Sequence, residues 1–158
     1  IFVVKEPLSF RKEIQEVMKE NAGIVRDGTR LQKGLERILE IKEKFYSKDN
    51  ILKEFKIDDE NVVLTFEVKS SLIVCEATIR SALMRQESRG AHYRSDYPEI
   101  DNEKWKVNIY CRKEERQGVG KEEEEEITLF KAPVKEIKGP LTDLIKEHKK
   151  AEHHREFE

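Results

Sequence analysis

The residues best equipped for chemistry lie in one stretch, 85–98, "RQESRGAHYRSDYP", which holds three arginines, one histidine, two tyrosines, two acids and one glycine. Ser88 and His92 stand four apart, but nucleophilic catalysis needs a base oriented by a third group, and nothing in the sequence activates Ser88. His148, His153 and His154 could be metal ligands. Their spacing is not a helical i, i+4 pair and no cysteine is near, so a solvated tail is the better reading. Gly118-Val119-Gly120-Lys121 resembles a phosphate loop only briefly. It lacks the following Ser/Thr and apolar helix, and it precedes five glutamates that would repel phosphate. No GxGxxG dinucleotide fingerprint occurs.

What remains is binding chemistry. The C-terminal end of a helix favours nearby cations, so Arg85, Arg89 and Arg94 suit a helix end with local ion pairs to Glu87 and Asp96. Three arginines need more than one partner, and the planar guanidinium fork fits carboxylates and carbonyls at interfaces. Tyr93 and Tyr97 add amphipathic surface of the kind interfaces use. Residues 87–98 therefore read as a docking loop. With Arg85 before it, its candidate residues are Glu87, Ser88, Arg89, Gly90, His92, Tyr93, Arg94, Asp96 and Tyr97.

The elements that must position this loop follow from apolar spacing. Phe10, Ile14, Val17 and Met18 predict a first helix over 8–21, with Ser9 as its N-cap. Leu31, Leu35, Ile38, Leu39, Lys42 and Phe45 form the stripe of a second over 28–46, capped by Asp27. Val68, Leu72, Cys75, Ile79, Ala82 and Gln86 repeat at 4-3-4-3-4 and predict a third over 61–88, widened by Ile73 and Leu83, with Gly90 as its C′ residue. Beyond Gly90 the pattern changes to alternation. Trp105, Val107, Ile109 and Cys111 mark one face of a strand, and Ile127, Leu129 and Lys131 one face of a second. Between them, 112–125 reads as a solvated turn. Leu141 to Lys150 suggest a short helix before a frayed tail. The expected fold is mainly α: a three-helix antiparallel bundle with a C-terminal β-hairpin appendage. Residues 1–104 form the bundle with its docking loop, 105–138 the hairpin, and 139–158 the short helix and tail.

Composition bounds the function. The 158 residues carry 31 Lys+Arg against 33 Asp+Glu, a net charge of −2, without the basic excess of a nucleic-acid binder. Charged residues make up 41%, against about a quarter in an average domain. With apolar periodicity intact, that excess points to the ion-pair-laced surface of a thermophile. Cys75 and Cys111 form no CxxC and suit a reducing, cytosolic compartment. No apolar run of about 18 residues could span a membrane. The chain opens on Ile1 in "IFVVKEPLSF" and reads as a piece of a longer protein.

"RSALMRQESRGAHYRSDYPEIDNEKW" (80–105) closely resembles the C-terminal helical domain of succinate dehydrogenase/fumarate reductase flavoprotein subunits. That family's pattern is a helix ending in Arg-x-Glu-Ser-Arg-Gly-x-His, then Asp-Tyr-Pro-Glu and an acidic run before Trp. Arg85, Glu87, Ser88, Arg89, Gly90, His92, Asp96, Tyr97, Pro98, Glu99, Asp101 and Trp105 match it. "MKENAGIVRDGTRL" (18–31) is similar to that domain's first helix-to-helix turn. L-aspartate oxidase shares the domain, but its loop typically has Leu where Ala91 stands and lacks an Arg matching Arg94. The resemblance implies an FAD-dependent oxidoreductase that interconverts succinate and fumarate and passes electrons to an iron–sulfur partner subunit. FAD-binding and capping domains upstream would carry the cofactor and catalytic residues. It implies no cofactor and no activity in this fragment, and a cytoplasmic, peripheral place for the whole subunit, on the inner face of the cell membrane. A stand-alone helical interaction module is the alternative from a different class.

Overall fold

In the computed structural model, residues 2–52, 59–116 and 124–135 are described. The order is α1 (Pro7–Asn21), β1 (Val25–Arg26), α2 (Gly28–Tyr46), a 3-10 turn (Lys48–Asn50), α3 (Asp59–Met84), β2 (Tyr93–Arg94), α4 (Asn102–Trp105), β3 (Val107–Arg116) and β4 (Glu124–Pro133). The mainly helical bundle with a C-terminal hairpin agrees with the apolar patterning. The expected turn glycines Gly118 and Gly120, the helix at 141–150 and the histidines His148, His153 and His154 lie outside the described residues.

Side-chain neighbours give the bundle its directions. Phe10 packs on Phe45, Glu13 pairs with Arg37, and Asn21 abuts Gly34, so α1 and α2 run antiparallel. Gly34 also lies beside Ile79, and Lys42 pairs with Glu76, so α2 and α3 are antiparallel too. The core lies among the three helices: Ile14 and Val17, then Leu31, Leu35, Ile38, Ile41 and Phe45, then Val68, Leu72, Ile79 and Ala82. Near its start the chain adds Val3 and Val4, held by Lys5 N–H to the Asn50 carbonyl and Leu52 N–H to the Val3 carbonyl.

Local departures from the expected pattern have local causes. Ser9 does not cap α1. The helix starts at Pro7, whose fixed φ and missing N–H suit a first turn, after Glu6 in a left-handed conformation at φ 53°. Asp27 does cap α2, accepting from the Arg30 amide at 2.9 Å. On α2, Leu39 is 37% exposed, whereas Ile41, absent from the expected stripe, is fully buried. The helix α3 ends at Met84, not 88, and Gln86 is exposed. Gly90 is left-handed at φ 57°, as expected, but it serves a tight turn between Arg89 and His92, six residues past the helix end. Trp105 closes the short helix α4 instead of opening a strand, because Asp101 accepts from the Glu103 and Lys104 amides and caps that turn. The strands reach Arg116 and Glu124, so much of the expected solvated turn is paired strand. Opposite pairs Ile109↔Lys131 and Cys111↔Leu129 set the anticipated apolar faces side by side.

Gly34 marks the closest helix approach. A Cβ there would lie 2.7 Å from the Asn21 Cβ. In an open helix, Gly→Ala gains about 1 kcal/mol. Here the added methyl must push α1 and α2 apart, and overpacking costs about 1–3 kcal/mol. Gly34→Ala should therefore lower stability in a urea melt. A variant more stable than the parent would show that the α1–α2 contact is looser than described.

Candidate functional site

Where α3 ends, the chain turns back on itself around two buried charges. Glu87 is fully buried. Its carboxylate accepts from Arg85 Nη1 at 2.6 Å, Arg89 Nε at 2.7 Å, Arg89 Nη2 at 3.0 Å and the Asp101 amide at 2.8 Å. Burial opposes ionisation, but the hydrogen bonds from Arg89, Asp101 and Arg85 outweigh it and hold the Glu87 pKa down at about 2. Arg85 also donates to the Trp105 and Val107 carbonyls and lies over the Trp105 ring, joining helix end to hairpin. Arg89 reaches on to Asn102.

The second centre is Arg94, 2% exposed. It forks onto Asp96 with two 2.7 Å hydrogen bonds, and its Nη1 donates to the carbonyls of Ala82 at 2.7 Å and Arg85 at 3.2 Å. These are last-turn carbonyls that no helical amide can satisfy. The Arg94 hydrogen bond, with the Gly28 amide adding to it, holds Asp96 at about 2. Ser88 Oγ accepts from the Arg94 amide and donates to the Tyr97 carbonyl at 2.8 Å. β1 and β2 pair in parallel, Val25 with Tyr93 and Arg26 with Arg94, so this loop is stitched to the α1–α2 turn.

All ten expected site residues thus fall in one cluster, but in two groups. Glu87, Ser88 and Arg94 are buried and spend their polar atoms inside the chain. Tyr93 and Tyr97 are exposed, as are neighbouring Ile24, Val25 and Ile100. Ser88 has no base: its hydroxyl faces carbonyls, while His92 Nδ1 faces Arg26 Nη1 at 3.1 Å. That partner must be the donor, so Nδ1 accepts and the neutral ring carries its proton on the buried Nε2. Burial, then the Arg26 charge, lowers the His92 pKa, with the Arg85 carbonyl acting the other way.

Arg26, Gly28, Asp101 and Asn102 also belong to the cluster, beyond the ten candidate residues of the docking loop. Asp101 ahead of "NEKW" carries a legible N-cap signal; Arg26 carries none. A separate buried charge, Glu76, accepts from Lys42 and Arg80, each at 2.8 Å. Its signs in the sequence are the lysine on the apolar stripe of α2 and Arg80 four residues on. No group of three His, Cys, Asp or Glu suited to a metal occurs among the described residues. The arrangement holds chain segments together.

A family model described as the fumarate reductase flavoprotein C-terminus matches residues 11–138. An uncharacterised FAD-dependent oxidoreductase of Methanocaldococcus jannaschii is 40% identical over 101 residues, 64% of this chain and 17% of that protein. In the fumarate reductase (CoM/CoB) of Methanothermobacter marburgensis, one polypeptide is 36% identical over 116 residues, 73% of this chain and 21% of that protein. The solved FrdA chain of E. coli quinol fumarate reductase superposes with a TM-score of 0.68 at 25% identity, covering 86% of this chain and 22% of that one. The chain spans about a fifth of the length of the relatives it matches.

Proposed function

Because the chain belongs to the fumarate reductase flavoprotein C-terminal family, we propose that it works as the helical buttress of a longer FAD-dependent polypeptide. That polypeptide interconverts succinate and fumarate and passes electrons to an iron–sulfur subunit. The observation that carries this reading is that the family match runs unbroken through bundle, buried charge cluster and hairpin. The cluster's role is rigidity: it fixes the geometry of a loop whose outer side, with Tyr93 and Tyr97, meets the FAD-binding and capping domains. Residues up to 104 supply the bundle and that contact, and those from 105 a hairpin brace. No helix of the described residues is long and apolar enough to cross a membrane, which is compatible with a peripheral place on the inner membrane face. Ion pairs linking Arg37 to Glu13 and Glu40 support the thermophile reading of the charge excess.

The described residues do not fit FAD. A flavin diphosphate needs free amides at a helix N-terminus or a glycine-rich loop. At α2 the Gly28 and Arg30 amides are taken by Asp96 and Asp27, and α3 opens on Asp59 and Glu60. Titrating the 158-residue chain with FAD should give no saturable spectral change, and the chain should not reduce fumarate with a reduced viologen donor. The longer polypeptide should be yellow and active. Stoichiometric FAD binding by the short chain would overturn the buttress role.

A further inference from the structure

The helix α3 is apolar on two opposite sides. One side, through Val68, Leu72 and Ile79, faces the bundle. Half a turn away, at i, i+3, i+4 and i+7 spacings, stand Val63, Phe66, Ser70, Ile73, Val74 and Ala77, with no charged residue among them. Val63, Phe66 and Val74 are 56%, 55% and 62% exposed. In a chain that is 41% charged, an outward helical stripe without charge is out of character, and an uncovered apolar face marks a contact surface.

The stripe leads into a groove of about 570 Å³ between α3 and β3, walled by Ile73, Val74, Ala77, Ile109 and Cys111 and ended by Arg26 and His92. No carboxylate lines it. Arg26 gives Nε to the Ala22 and Gly23 carbonyls and Nη1 to His92, and it has no ion pair with a described carboxylate. The groove therefore offers apolar walls and, at one end, a cation without a described carboxylate partner.

We propose that this face and groove are the seat of an apolar, carboxylate-bearing segment from the rest of the same polypeptide. The proposal rests on the buttress reading and names a surface on α3 that the docking loop does not include. Two observations select this occupant. The relatives are roughly three and a half to four times the length of this chain, so the proposed longer protein has most of its mass to place against it. The uncompensated Arg26 favours an acid, and the charge-free stripe favours the dry contact of a permanent neighbour.

Cys111, exposed in the groove wall, is a built-in probe, and half-buried Cys75, whose thiol pKa burial raises, is a slow internal reference. N-ethylmaleimide should alkylate Cys111 readily in the 158-residue chain and at least tenfold more slowly in the longer polypeptide, read by peptide mass spectrometry. Val74→Asp should restore labelling in the longer protein and leave the melting temperature of the short chain unchanged. Equal labelling in a yellow, FAD-bearing long polypeptide would overturn the proposal and leave the buttress reading standing. Protection in the short chain that grows with its concentration would assign the face to a second copy, and protection appearing only when another protein of the complex is added would assign it to that protein; either result overturns the proposal. A colourless long polypeptide sinks this proposal and the buttress reading together.

Discussion

Glu87→Ala is expected to destabilise the chain by about 3–5 kcal/mol, the usual cost of removing one partner from a buried ion pair. The side chain is fully buried and takes four hydrogen bonds, from Arg85, Arg89 and the Asp101 amide. Alanine leaves those donors facing one another, with Arg85 and the Asp101 amide largely shielded from water. Glu87→Gln keeps the shape but turns an amide NH2 towards guanidinium donors, so it should lose nearly as much. The same carboxylate governs acid stability. Glu87 and Asp96 are held at about 2, against ordinary values of 4.5 and 3.8. Folded-state pKa values below the unfolded ones mean that the stabilisation is complete above about pH 4.5 and is lost as pH falls towards 2. Inside that window each group contributes a slope of roughly 1.4 kcal/mol per pH unit. Urea melts from pH 7 to 2.5 should show the parent weakening steeply below pH 4.5 and Glu87→Ala weakening with about one proton's less slope. A variant with the parent's stability at pH 7, or with an unchanged acid slope, would remove Glu87 from the centre of the cluster.

The three helices are legible in the sequence because burial on one side leaves a 3.6-residue trace, and the strand faces are legible because alternation leaves a 2-residue trace. What the pattern does not carry is where elements stop. Residues 85–88 continue the α3 heptads on paper, yet the helix ends at Met84, because Arg94, ten residues on, supplies the terminal carbonyls with donors that no nearby residue provides. Trp105 alternates correctly with Val107 and Ile109, but Asp101 captures it into a helical turn. Periodicity alone sets Ile73 at the edge of the α3 core stripe, whereas it sits on the opposite, outward side with Val74 and Ala77. The cluster's membership is visible as a run of residue types. Its inward orientation is not, since an arginine buried at 2% exposure carries the same letter as one on the surface. Only the pairing of β1 with β2 shows that Arg94 and Asp96 are needed to hold the start of α2.

That dependence gives the second large effect. Arg94→Ala should cost about 3–5 kcal/mol, because it strands the Asp96 carboxylate and the carbonyls of Ala82 and Arg85 together. Arg94→Lys is the sharper test. Lysine keeps the positive charge beside the α3 C-terminus, and if the helix dipole were the whole of the interaction the loss would be under about 1 kcal/mol. The geometry asks for more than charge. One side of the guanidinium grips both oxygens of Asp96 while Nη1 reaches the helix carbonyls, and a single ammonium cannot span both sets. Arg94→Lys should therefore lose about 2–3 kcal/mol, most of the alanine effect. The loss should also spread along a predictable path. Asp96 accepts from the Gly28 amide at 2.9 Å, and the Ser95 amide donates to the Arg26 carbonyl at 2.8 Å, so a released Asp96 frees the α1–α2 turn. Hydrogen exchange should quicken at Gly28 and Ser95 in both variants well before it quickens at Leu72 or Ile79 in the bundle core. If Arg94→Lys melts with the parent and Gly28 stays protected, Arg94 acts as a point charge at a helix end, and the link from α3 through Asp96 to α2 is not what holds the loop in place.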